Sequence, residues 1–295
     1  MAAERAHLRT AVEQVTSTST IPTAPPAFVP PERSRFLGSI YAGNSRAVLG
    51  RGLLAAKTNN WVIVVSGFLE PVLYLLSFGV GLGSLVGTVT TASGAHVPYA
   101  AYIAPALLAV SAMNGAVYDS TWNVFFKMNY AKLYEGMLAT SIGPFDVALG
   151  EITYALLRGL LYSLGFMIVM QLFGLNLAWT ALLALPAVVL IAFGFASLGM
   201  GITSYMKTFQ QMEWVNFILL PMFIFSATFY PISVYPPVMQ YIIEALPLWH
   251  GVELIRGLTT GDLSWGLLWH VLYFAVMITL GLIFTTKRLR ALFLS

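Results

Sequence analysis

Apolar runs of about 20 residues, each long enough to cross a hydrocarbon core, alternate along the chain with short polar intervals. Six are predicted to span a bilayer: Trp61 to Leu85, Tyr99 to Val117, Phe145 to Phe173, Ala178 to Tyr205, Trp214 to Phe229 and Ser264 to Thr285. The longest polar interval between two of these runs is Thr121 to Asp146. At 100° per residue, Phe126, Tyr130, Leu133, Tyr134 and Met137 fall on one side of a helix, with Ala131, Lys132 and Glu135 opposite and Lys127 at the flank. The pattern predicts one short amphipathic helix, its apolar face docked under the bundle. It ends at Ser141-Ile142-Gly143-Pro144, where glycine and the pre-proline position stop helical continuation. From the pattern alone this helix is either a linker between spans or a contact surface for a partner.

The flanking stretches differ in kind. Residues 1–33 are rich in Ser, Thr, Pro and Ala and carry too little apolar pattern for a core, so a disordered cytoplasmic tail is expected, followed by one transmembrane domain over 34–295. No uninterrupted apolar stretch follows the N-terminal charges as a cleavable signal would require. Residues 35–59 mix Arg35, Arg46, Arg51 and Lys57 with apolar positions, the pattern of a helix lying in the membrane interface with its cations at anionic lipid headgroups. Between the last two spans, residues 231–263 are too apolar for a free loop and too short for two spans. Pro231, Pro236, Pro237 and Pro247 divide them into short re-entrant helices forming an outer cap.

Lys and Arg sit on alternate loops. Arg33, Arg35, Arg46, Arg51 and Lys57 precede the first span, Lys127 and Lys132 follow the second, Lys207 the fourth, and Lys287, Arg288 and Arg290 the sixth, whereas Gly87 to Pro98 and Gly174 to Asn176 carry neither. Basic loops stay on the cytoplasmic side, so both termini and the Lys127–Glu135 segment are expected there.

Composition narrows the class. Of 295 residues 58% are hydrophobic and 9% charged, against about 25% charged in soluble domains. Mean hydropathy is +0.78. The fold class expected is therefore an all-α, multi-pass integral membrane protein. Zero cysteines exclude disulfides, thiol catalysis and thiolate metal sites, and the cations form no dense stripe of the kind nucleic acid would require. Gly52-Leu53-Leu54-Ala55-Ala56-Lys57-Thr58 lacks the second glycine and preceding strand of a phosphate-binding loop. His7, His96, His250 and His270 are scattered, with no pair at metal-ligand spacing. Neither catalysis nor a cofactor is expected in this chain.

Two charges fall inside predicted spans. Glu70 lies about nine residues into the first, roughly 14 Å, and Arg158 about thirteen into the third, roughly 20 Å, both from the cytoplasmic side. A charge at such depth costs at least ~2.5 kcal/mol, and mutual pairing is the simplest relief. Glu151, two turns before Arg158 on the same face, competes for that partner. Gly79, Gly83 and Gly87 recur at every fourth position, a spacing that lets helices approach closely, within one chain or between protomers. In the fifth span, Asn216, Pro221, Phe223, Phe225, Ser226, Thr228 and Phe229, with Tyr230 at its outer end, offer aromatic and polar groups suited to lining a passage for an amphipathic molecule, or simply to packing.

Five stretches together carry a resemblance. They are Leu69-Glu70-Pro71-Val72-Leu73-Tyr74-Leu75-Leu76, Tyr102-Ile103-Ala104-Pro105-Ala106-Leu107, the run from Trp122 to Glu151, the run from Leu220 to Pro231, and Leu246-Pro247-Leu248-Trp249-His250-Gly251 continuing to Gly257. In this order and spacing the chain resembles the ABC-2 type exporter permeases, most closely the NodJ-like lipo-oligosaccharide and daunorubicin-resistance permeases. The resemblance implies a six-span subunit of the bacterial cytoplasmic (inner) membrane that pairs with a second permease, identical or related. It also implies two separate ABC ATPase subunits that hold the ATP and Mg. The helix after span two would rest on the ATPase, assigning coupling to Lys127, Met128, Asn129, Tyr130, Lys132, Leu133, Tyr134 and Glu135. The passage would lie between permeases, lined by spans one, two and five. The long Pro-rich tail departs from the family pattern. With no strongly charged lumen, the expected cargo is amphipathic, a glycolipid or a hydrophobic drug. A proton-coupled carrier using Glu70, Glu151 and Arg158 is the alternative. A lipid-modifying membrane enzyme is a third reading, weakened by the missing acid/base or metal grouping.

Overall fold

The computed structural model describes residues 43–56, 69, 72–91, 94–175 and 178–293. The expected tail, most of the interfacial segment's ends, Glu70 and the first half of the first span lie outside the described residues.

Helix α1, Ser45–Ala56, falls within the expected interfacial segment and packs along the start of a later helix, α5 (Pro144–Leu172). The contact is close because Gly150 presents no side chain: a Cβ there would come 2.6 Å from that of Val48. The next element, α2 (Val72–Val86), is π-helical over Leu75–Leu82 and α-helical over Gly83–Val86. An antiparallel hairpin follows, β1 (Thr88–Thr90) with β2 (His96–Pro98), pairing Thr88 with Pro98 and Val89 with Val97. The chain is mostly helical, as expected, and this short hairpin is a local departure from the all-α expectation. β-Branched Thr and Val on both arms favour extended pairing, and Gly94 at φ 83° supplies the left-handed turn position.

Helix α3, Tyr99–Asn129, is the central element: 31 residues, almost wholly buried along its first two-thirds, with a π-helical turn at Asp119–Asn123. Alanines at 101, 104, 106, 109, 112 and 116 keep its surface low, so neighbours pack close. At Gly115 a Cβ would stand 2.8 Å from the Cα of Gly159 on α5. After α4 (Leu133–Leu138), α5 starts at Pro144, a favoured first helical position because the missing N–H would have no partner there. The Asp146 carboxylate accepts from the Gly143 N–H at 2.9 Å and from the Asn44 N–H at 3.0 Å, capping α5 and tying the entry of α1 to it.

Helix α6, Trp179–Thr203, opens with a 3₁₀ turn and packs lengthwise on the last helix, α10 (Gly266–Phe293). Between α6 and α10 come α7 (Glu213–Phe225), α8 (Pro237–Glu244) and α9 (Pro247–Thr260). Among the described residues four helices, α3, α5, α6 and α10, are long and apolar enough to cross a membrane. The described part of α2 is shorter, and α7 has 13 residues. Where the fifth span was expected to continue to Phe229, the helix stops: Ser226 to Tyr230 is irregular and Ala227 takes φ 54°. The sixth helix runs eight residues beyond the expected Thr285, to Phe293. The outer segment does hold two short helices, but α9 is less a flap than part of the core, burying Leu248, Val252, Ile255 and Leu258 against α3, α6 and α10.

Candidate functional site

The single amphipathic helix expected over Phe126 to Met137 is two pieces. Helix α3 runs on unbroken to Asn129; the chain then turns through Tyr130 to Lys132, where Lys132 adopts the left-handed conformation at φ 48°, before α4 begins. The break puts the two halves out of phase. Phe125 and Met128 are buried, whereas Phe126 and Tyr130, expected on the docked face, are 46% and 65% exposed. Tyr134 is fully buried, edge-on to Phe293 at 6.5 Å, and Leu133 and Met137 are half-buried. Asn129, Lys132 and Glu135 are exposed, so the turn forms a protruding knuckle carrying Phe126, Asn129, Tyr130, Lys132 and Glu135. Phe209, in the turn before α7, packs on its flank, 6.2 Å from Phe126 and 5.3 Å from Trp122.

Glu151 anchors this knuckle from below. Its carboxylate accepts from Lys127 Nζ at 2.5 Å and from Arg51 Nη2 at 3.0 Å, joining the end of α3, α1 and α5 at one buried side chain. Glu151 therefore does not compete for Arg158, as the sequence suggested. Nor does Arg158 need Glu70, which lies outside the described residues: Arg158 Nε meets Asp119 Oδ2 at 2.8 Å, and Asn123 also donates to Asp119. Asp119 was missed because the second span was expected to end at Val117. The helix runs twelve residues further, carrying Asp119 into the bundle, where it is 3% exposed.

A cleft of about 440 Å³ lies between α2, α3 and α7, with Tyr74, Asn114, Tyr118, Trp122, Asn216 and Phe223 on its walls. Of the eight fifth-span residues singled out, Asn216 and Phe223 line it. Phe229 packs beside it, its ring tilted against Phe78 at 4.9 Å and edge-on to Phe223 at 5.2 Å. Thr228 is fully buried, Phe225 turns to Tyr235 at 6.4 Å, and Tyr230 is exposed. Asn114, Tyr118 and Trp122 were not singled out, although their spacing of four marked one face of a helix. The glycine stripe also divides. Gly79 packs on Ala100, a Cβ there coming 3.3 Å from that of Ala100, while Gly83 meets nothing within 4 Å and Gly87, at φ 72°, is the turn into the hairpin. π-Helical winding shifts residues four apart off a common face.

The histidines are less scattered than the sequence implied: His250 on α9 and His270 on α10 bring their Nδ1 atoms to 2.7 Å in a buried contact. Twenty residues of separation hid the pair. Among the described residues no group of three His, Cys, Asp or Glu could hold a metal.

A bundle of buried and apolar helices, four of them among the described residues long and apolar enough to cross a membrane, defines a helical membrane protein. The model of the ABC-2 type transporter family matches residues 44–260, and the chain belongs to that family. It is similar along most of its length to nodulation protein J. The protein of that name from Rhizobium leguminosarum bv. viciae is 30% identical over 249 residues, 84% of this chain and 94% of its own. That from Sinorhizobium fredii is 32% identical over 211 residues, 71% and 79% of the two chains. That from Rhizobium leguminosarum bv. trifolii is 29% identical over 245 residues, 83% and 92%.

Proposed function

We propose that this chain is the permease subunit of an ATP-driven exporter in a bacterial inner membrane, coupled to separate ATPase subunits through the knuckle at Phe126 to Glu135. The observation that carries the reading is the knuckle itself: exposed aromatic and charged side chains held on a long rigid helix by the buried Glu151 anchor. The basic residues support placing it in the cytosol. Arg51 and Lys127 share Glu151, Tyr134 touches Phe293 near Arg290, and Arg288 stacks 4.1 Å over Tyr205, so the cations collect at one end of the bundle.

In this reading α2 and α7 complete six spans, and two permeases, identical or related, enclose a passage bordered by α2, α3 and α7. The 440 Å³ cleft, aromatic with two asparagines, suits an amphipathic cargo. The similarity to nodulation protein J favours the lipo-oligosaccharide branch of the family over the drug branch. ATP binding draws the ATPases together, the knuckle passes that movement to α3 and, through Glu151, to α1 and α5, and the paired bundles open outward. A proton-driven carrier is the weaker reading, because Glu151 and Arg158 are both engaged in ion pairs.

The test is ATPase activity of the chain reconstituted with its candidate ATPase, comparing wild type with the Lys132→Glu/Glu135→Lys exchange. Hydrolysis that the exchange uncouples or dissociates is expected. A wild-type chain that captures no ATPase would overturn the proposal.

A further inference from the structure

At the end of the bundle away from the Glu151 anchor, α8 is thinly secured: of its residues only Ile243 is buried, and Val238, Tyr241 and Ile242 are exposed. A cluster of rings ties its C-terminal end to the bundle. Tyr273 on α10 donates through its hydroxyl to the Ala245 carbonyl at 3.1 Å and lays its ring on His250, the centroids 3.8 Å apart. The Glu244 carbonyl lies beside His250, and Trp249 stands edge-on to both His250 and His270. The two imidazoles meet Nδ1 to Nδ1 at 2.7 Å, joining α9 to α10.

At that distance one hydrogen lies between the two nitrogens, donated by one ring and accepted by the other. Two imidazolium rings would set two hydrogens and two positive charges face to face. The contact therefore holds while the pair is neutral or singly protonated and breaks when both rings are charged. Both histidines are buried, yet protons have a route: His270 lines a cavity of about 320 Å³ whose Asp262 and Ser264 are exposed.

The surrounding charges do not offset double protonation. On α9, Glu253 is held by Arg256. Asp262 before α10 and Glu244 on α8 are exposed and screened by solvent, as is His96 of the hairpin, bonded to Thr90. Toward the pair and its cavity α10 and α3 present the phenols Tyr273 and Tyr102, and α6 carries no titratable residue. Burial, and the second ring beside it, lower the His250 pKa to about 4, against about 6.5 for a free imidazole. A lowered value leaves the contact intact above about pH 6.5 and weakens it as the pH falls toward 4.

We propose that the His250–His270 contact is a proton-operated clasp on the cap: acid at this end of the bundle charges both rings, parts them and frees α8 with the first turn of α9, while the rest of α9 stays in the core. That the acid is outside the cell rests on the orientation in the exporter reading; the clasp itself does not.

The full-length chain in lipid nanodiscs, with no ATPase present, is followed by hydrogen–deuterium exchange at about pH 7 and about pH 4.5, on either side of the free imidazole value. Helix α3 serves as the internal reference for the pH dependence of chemical exchange. In wild type, exchange over α8 and the first turn of α9, relative to α3, is expected to rise threefold or more in acid. His270→Asn places at the Nδ1 position an amide that cannot charge and that accepts from His250 in either protonation state, so the rise should disappear. His250→Phe keeps a ring on Tyr273 but brings no nitrogen, and α8 should then exchange fast at both pH values. Nitrogen NMR of the wild-type chain checks the chemistry without a substitution: two of its four imidazoles should resist charging at about pH 5.5, where a free imidazole is charged. An unchanged exchange ratio in wild type, the same acid rise in His270→Asn, or four charged imidazoles at that pH would overturn the clasp. Because the assay contains no ATPase, such a failure leaves the ATP-coupling proposal to its own test.

Discussion

Asp119 and Arg158, thirty-nine positions apart in the chain, meet at 2.8 Å inside the bundle, Asp119 on the π-helical turn of α3 and Arg158 on the middle of α5. A π turn lets one extra residue bulge from a helix, and here the bulge carries the carboxylate toward its partner. Removing one side of a buried pair strands the other charge. Asp119→Asn and Arg158→Gln are each expected to destabilise the chain by about 3–5 kcal/mol. The double replacement Asp119→Leu/Arg158→Met should recover much of that loss, read as thermal unfolding in detergent. A double replacement no more stable than either single variant would contradict the pairing.

The Glu151 anchor has two unequal arms. Lys127 is 19% exposed and at 2.5 Å, Arg51 35% exposed and at 3.0 Å, so water screens the Arg51 arm more strongly. Arg51→Gln is expected to cost no more than about 1 kcal/mol. Lys127→Gln should cost about 1–3 kcal/mol, since it withdraws a charged donor from a buried carboxylate. Unfolding midpoints of the two variants rank the arms, and the reverse order would show that α1, not α3, is the principal strut.

Much of this architecture was legible from hydropathy. The apolar runs predicted at Phe145 to Phe173 and Ala178 to Tyr205 became α5 and α6 within a residue or two at most ends, because apolar length alone sets a span. What failed was continuity. A run of Asp119, Ser120, Thr121 and Asn123 reads as the end of a span, yet tertiary partners, Arg158 above all, let the helix carry them inward. The knuckle failed for the opposite reason: an unbroken apolar periodicity over Phe126 to Met137 gave no sign of the left-handed residue at Lys132. Contacts between distant positions, such as His250 with His270, leave no mark on local spacing.

Glycine positions separate contact from mere spacing. At Gly115 a methyl group would strike the Gly159 backbone, so Gly115→Ala must part α3 from α5 and is expected to cost about 1–3 kcal/mol. At Gly83 nothing lies within 4 Å and the backbone is helical, so Gly83→Ala should hold or raise stability by up to about 1 kcal/mol. Thermal unfolding of the monomeric chain compares them. If Gly83→Ala leaves that midpoint unchanged but weakens permease pairing in a cross-linking assay, the residue serves contact between protomers.

Lys132 contributes a bend and a charge, and these can be taken apart. Its φ of 48° is tolerated by asparagine and glycine but unreachable for proline, whose ring fixes φ near −65°. Lys132→Gly keeps the turn, relieves roughly 1–2 kcal/mol of left-handed strain and removes the charge. Lys132→Pro forbids the turn and must displace α4 from α3. If the knuckle signals by its shape, the glycine variant retains ATP-dependent coupling in the reconstituted complex while the proline variant loses it. If it signals by charge, glycine uncouples as fully as Lys132→Glu, and Lys132→Arg restores coupling. The first outcome is expected, because the exposed surface of the turn is largely aromatic, with the Phe126 and Tyr130 rings tilted together at 5.3 Å, and a bend that presents those rings matters more than the loss of one screened ammonium at its edge, whereas exchanging Lys132 and Glu135 inverts both charges and sets like charge against like across the contact.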